Sequence, residues 1–218
     1  MQTNQLSLRN GFIALIIAYP VLTGLAVFYG DHYGRAVIPL YITTLTVVAP
    51  AYKLTAIEIR PSRNEQVLLA EFVTEEPHIV KGGVLHAGIP IEASTLLGHA
   101  LQHAIVMYTL VVVWLALSRC PLARWLAAAA ASLPMLGLLE VLDVPFVLAG
   151  SVEDLLASGM HPNDPLMRPM VYWMNFLTGG GRLALAVVGG VLTISIAALT
   201  MPCTRSSVVG LPQGGSDL

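Results

Sequence analysis

Long apolar runs separated by short polar stretches dominate this chain. A helix crosses a hydrocarbon layer with roughly 20 apolar residues, and four segments reach that length: 11–30, 95–118, 125–148 and 182–201. Pro20 and Pro134 fall inside two of them and predict kinks, which membrane bundles tolerate. A fifth apolar piece, AVIPLYITTLTVVAPAY (36–52), is shorter and is bounded by Pro39 and Pro50. An interfacial helix is the favoured reading of it; a re-entrant or spanning segment, or the start of a strand region, stays open.

The pattern changes over 53–94. KLTAIEIRPS alternates, with Leu54, Ile57 and Ile59 among polar neighbours. EQVLLAEFVTEE and HIVKGGVLHAGIPIEA follow, each after a Pro, Ser, Asn or Glu-rich break. Such punctuation predicts about three strands in a small extramembrane unit. The expected fold class is an integral membrane protein, mainly α, with four transmembrane helices and a small β-rich periplasmic insert. Residues 1–30 hold the N-terminal tail and first helix, and 31–94 the interfacial segment and β-like domain. Residues 95–201 hold helices two to four, with a periplasmic Met-rich interfacial helix at 159–178, and 202–218 form a cytoplasmic tail.

Composition supports this reading. The chain is 56% hydrophobic and 11% charged, against about 25% charged in soluble domains. A net charge of −2 and the lack of any basic run give no reason to expect nucleic acid as a partner. Cys120 and Cys203 fit neither a zinc pattern nor a disulfide framework. MQTNQLSLRN puts one positive charge before an apolar run of full bilayer length, which reads as an uncleaved first helix rather than a signal peptide. Arg119 and Arg124 in the short loop SRCPLAR predict a cytoplasmic loop, with Arg9 and Arg205 on the same side. Both termini are then cytoplasmic and the insert periplasmic, in a bacterial inner membrane. Arg35, Lys53, Arg60, Arg63 and Lys81 lie in or near the exported part and oppose this, but long translocated segments count less.

Ionisable groups inside a bilayer are costly and are functional candidates by default. His99, His103 and Met107 recur every fourth residue and share one face of the second helix. Glu140 and Asp143, three apart, share a face of the third. At about 1.5 Å per residue, both clusters fall toward the outer membrane face. Three readings compete: a hydrogen-bonded polar knot that fixes helix packing, which is favoured; a metal site, copper first, using His99, His103 and Met107 with Glu140 or Asp143; and a proton or quinone path on the carboxylates. The histidine pair cannot clasp a haem by itself, because residues four apart point the same way.

GMHPNDPLMRPMVYWMNFL (159–177) carries Met160, Met167, Met170 and Met174 beside His161. Soft sulfur ligands suit cuprous copper. The apolar residues also follow helical three–four spacing, and Tyr172 and Trp173 suit an interface, so an amphipathic helix on the membrane or a partner is the stronger reading. The glycines of LTGGGRLALAVVGG lack the Lys-Ser/Thr of a phosphate loop. Gly179, Gly180 and Gly181 read as a flexible lead into the fourth helix, and Gly189 and Gly190 as close-packing positions. No serine–histidine–acid set is apparent.

GGVLHAGIPIEASTLLGHAL, LPMLGLLEVLDVPF and YWMNFLTGGGRLAL, set in this order of parts, resemble the small membrane proteins encoded beside exosortases, the bacterial protein-sorting enzymes. The resemblance implies an accessory role and brings no catalytic residue with it. The function expected is a non-catalytic accessory or structural subunit of an inner-membrane complex, in contact with lipid and with other integral membrane subunits. A copper-binding membrane subunit is the alternative.

Overall fold

The computed structural model describes residues 2–63, 65–75, 77–80, 83–118, 122–158 and 168–200. It is mainly helical, with a small antiparallel sheet inserted after the first helix. In chain order α1 (Gln2–Val48) leads to β1 (Tyr52–Ser62), β2 (Glu65–Thr74), β3 (His78–Val80), β4 (Gly83–Leu85) and β5 (Pro90–Leu96). Then come α2 (Leu97–Ser118), α3 (Leu122–Ser158), the short α4 (Pro169–Phe176), a π-helical turn (Leu177–Gly181) and α5 (Arg182–Thr200). Four helical stretches are long and apolar enough to cross a membrane: Leu8–Val48, Leu97–Ser118, Ala123–Leu156 and Pro169–Thr200.

Two of these helices are much longer than a bilayer requires. The 47 residues of α1 extend about 70 Å, against a hydrocarbon core of about 30 Å. Its part from Gly11 to Gly34 runs antiparallel to α2: Gly11 lies against Leu117, Gly30 against Leu101 and Gly34 against Leu97. Its last part, from Val37 to Val48, passes beyond the start of α2 and packs on the sheet. The segment 36–52 is therefore no separate interfacial element; α1 continues through Pro39 to Val48. Pro39 costs one backbone hydrogen bond, but Val37, Tyr41, Leu45 and Val48 keep helical spacing and all join the core under the sheet, which offsets that loss. The helix ends where Pro50 disfavours helical geometry at Ala49.

The main sheet has the order β1-β2-β5, and β3-β4 forms a separate two-stranded ribbon. Leu68, Ala70 and Phe72 alternate along β2 and oppose Thr95, Ala93 and Ile91 of β5. That face meets Tyr41 and Leu45 of α1 and Val144, Leu148 and Val152 of α3 in one buried cluster. So α1 and α3 each have one part among the apolar helices and one part against the sheet. A second apolar cluster, Val111, Leu115, Ala128 and Ala197, joins α2, α3 and α5 at the far end.

Small residues set how closely the helices approach. Gly189 faces Leu139 of α3 and Gly190 faces Leu110 of α2, so α5 lies in the angle between those helices. The lead into α5 is a defined turn: Gly180 takes φ 113°, a backbone region that a side chain disfavours. Gly180→Ala is expected to lose at least about 1 kcal/mol, read as a lowered midpoint of thermal unfolding in detergent. An unchanged midpoint would mean the turn relaxes freely.

The Met-rich stretch is described only from Arg168 onward, so Met160, His161 and Met167 lie outside the described residues, as do Cys120, Cys203 and the tail from 201. Within α4, Trp173 donates its indole N–H to the Leu142 carbonyl at 2.8 Å, and the Met174 sulfur accepts from Ser151 Oγ at 3.3 Å. The Trp173 ring contacts those of Phe146 and Phe176. α4 thus packs onto the C-terminal half of α3.

Candidate functional site

The polar residues inside the helical part converge at the level where α1 and α3 pass from the helix bundle to the sheet. Glu140 of α3 is fully buried and accepts two phenol hydrogen bonds, from Tyr33 to Oε1 at 2.7 Å and from Tyr41 to Oε2. One turn further along α3, Asp143 is also fully buried. Arg182, the first residue of α5, places Nε 2.9 Å from each Asp143 oxygen. His103 of α2 stands between the carboxyl groups. Its Nδ1 is 4.0 Å from Glu140 Oε1 and its Nε2 is 3.6 Å from Asp143 Oδ2. These separations exceed hydrogen-bond length, and neither ring nitrogen has a hydrogen-bond partner.

Four helices contribute, each for a local reason. Tyr33 and Tyr41 are eight apart on α1, which places them on one face of a continuous helix and would not hold across a break at Pro39. Glu140 and Asp143 are three apart and share a face of α3. Arg182 is positioned by the Gly180 turn that starts α5. Together these hydrogen bonds tie α1, α3 and α5 at one depth, with His103 of α2 packed between the two carboxyl groups.

The structure brings His103, Glu140 and Asp143 together. His99, one turn before His103, is half-buried with Nδ1 unpartnered, and no contact links it to the carboxyl groups. Met107, one turn after, is fully buried but packs in an apolar cluster with Leu136 and Leu139. The sequence reading missed Tyr33, Tyr41 and Arg182. A visible signal for Arg182 was its place at the mouth of an apolar helix. For Tyr41 the signal was hidden, because 36–52 was separated from the first helix.

The chemistry of the set bears on metal binding. Among the described residues no group of three or more His, Cys, Asp and Glu side chains is arranged to hold a metal ion. Both oxygens of Glu140 receive tyrosine hydroxyls and both oxygens of Asp143 face Arg182. A copper ion here would have to displace a phenol or the guanidinium, and it would meet the positive charge of Arg182. What the arrangement does without rearrangement is compensate buried charge. A carboxylate buried without a partner is very costly, and here each one is held by donors from other helices. Tyr41→Phe removes one of the two donors to Glu140 and is expected to cost about 1.5–3 kcal/mol, seen as a lower unfolding midpoint in detergent. A midpoint within error of the parent would show that the Tyr41 bond contributes nothing.

The class defined by fold and site is a four-helix apolar chain with an inserted antiparallel sheet and a buried polar network where the two meet. Comparison with protein-family models, with curated proteins and with solved structures finds no match for it.

Proposed function

We propose that the chain is a non-catalytic accessory or structural subunit of a bacterial inner-membrane protein complex. One observation carries this reading: Glu140 and Asp143 are engaged by Tyr33, Tyr41 and Arg182, so the network is built as a lock between helices and not as an open reactive centre. Of the network residues only Tyr33 reaches a cavity described below; neither cavity is lined by His103, Glu140, Asp143 or Arg182. The unpaired apolar surface fits the same role. Phe12, Ile16, Ile17, Val27 and Phe28 of α1 are all more than half exposed, and they suit lipid or the helices of other subunits. The loop arginines favour cytoplasmic termini and a periplasmic sheet. The resemblance to proteins encoded beside exosortases agrees with an accessory role.

Native purification in mild detergent is expected to yield the chain with a membrane-protein partner in fixed ratio. A stable monomer with no partner, from cells in which the protein functions, would overturn the proposal. The copper alternative rests on the two unpartnered nitrogens of His103 beside two carboxyl groups. Metal analysis of chelator-free protein separates the readings: the lock predicts no stoichiometric metal. Copper at one equivalent that disappears in His99→Ala with His103→Ala would establish the alternative.

A further inference from the structure

A groove runs along the seam between α1 and α2. Its upper part is a cavity of about 280 Å³ lined by residues of α1, the start of β2 and the start of α2, including Asp31, Glu65, Gln66 and Gly98. Its lower part, about 180 Å³, lies between Leu22, Leu25, Ile105 and Tyr108. Ala26, Gly30 and Leu101 line both, so the two form one channel. The lower part is almost wholly apolar. The upper part carries two carboxyl groups of unequal status: Asp31 is paired with Arg35 at 3.1 Å, whereas Glu65 lies within electrostatic range of His99 in α2 and forms no ion pair among the described residues.

The upper end also holds the start of α2. The first turn of a helix has N–H groups without intrahelical acceptors, and it carries partial positive charge. Gly98 leaves open space beside that turn, with nothing within 4 Å of where a Cβ would stand. A ligand complementary to this groove is therefore apolar along its length, anionic where it meets the start of α2 and cationic where it meets Glu65. We propose that the groove binds one membrane lipid whose headgroup joins a phosphate to a primary amine, with an acyl chain lying between Leu22, Leu25 and Tyr108. The proposal rests on the reading above that these helices stand in a bilayer.

Native mass spectrometry of the full chain, offered equal amounts of ethanolamine, choline and glycerol phospholipids with identical chains, tests it. An exposed ion pair contributes modestly, so the ethanolamine lipid is expected to be retained about three- to fivefold over the glycerol lipid. Glu65→Gln should abolish that preference while leaving total lipid retention unchanged. Ala26→Phe, which fills the channel common to both cavities, should reduce retention of every lipid. Both variants alter groove-lining positions, and a matched thermal midpoint confirms that each is folded. No preference in the parent, a preference that survives Glu65→Gln, or retention indifferent to Ala26→Phe overturns the proposal; a groove made for a partner's helix gives the first of these. Failure of the bilayer reading looks different, since the protein then fractionates away from membranes and retains no lipid of any kind.

Discussion

Asp143→Ala is expected to destabilise the protein by about 3–5 kcal/mol, because it strands a charged group in the interior. Arg182 is 5% exposed and directs Nε at both Asp143 oxygens, while its Nη2 already lacks a hydrogen-bond partner. With Asp143 gone, the guanidinium has no anion at contact distance among the described residues, and His103 loses one of the two carboxyl groups beside it. The turn at Gly180 prevents an easy escape, since it fixes the first residue of α5 against α3. The double variant Asp143→Leu with Arg182→Met is expected to be far milder than the single one, because replacing a whole buried pair by apolar groups of similar volume is often neutral. Unfolding midpoints in one detergent, together with the monodisperse fraction after size exclusion, read both. If the double variant is as damaged as the single one, the residues act through packing and not through charge, and the lock loses its physical basis.

Much of this arrangement was legible in the chain itself. The positions of the four apolar helices follow from run length, and the strands follow from the alternation and breaks over 53–94, although the deeply buried side chains are Leu68, Ala70 and Phe72 of β2, with Leu54 and Ile57 only partly buried. Depth along the helices placed His103 level with Glu140 and Asp143, because rise per residue is nearly constant and only three residues separate the end of α2 from the start of α3. Three things were not legible. A proline at 39 is a strong local stop signal, and only the long-range burial of Tyr41 and Leu45 against the sheet overrides it. Arg182 reads as a water-facing helix end until α3 is seen to present Asp143 to it. Met107 has the spacing of a ligand, yet rotation of α2 carries it into contact with Leu136 and Leu139, a difference of orientation that spacing alone does not determine.

Phe72→Ala is expected to cost about 3–5 kcal/mol, the usual range for removing a buried aromatic ring, and to act first on the half of the molecule outside the apolar helices. Phe72 is 1% exposed on the central strand β2, opposite Ile91 and edge-on to Tyr52, within the cluster shared by the sheet, α1 and α3. Its loss opens a cavity just where those three layers meet. The apolar helices keep separate clusters around Met107 and Val111, which do not include any residue of the sheet. Limited proteolysis in detergent is therefore expected to cut the variant within 52–96 under conditions that leave the parent whole, while the fragments containing α2 and α5 stay protected. The network makes the outcome informative. Tyr41 belongs both to this cluster and to the Glu140 hydrogen bonds, so loosening of the sheet should be transmitted to the lock. Combining Phe72→Ala with Tyr41→Phe should then cost less than the sum of the two single losses, since the ring loss has already weakened the Tyr41 bond. Strict additivity would show that the sheet and the buried network are energetically independent, and that α1 does not couple them.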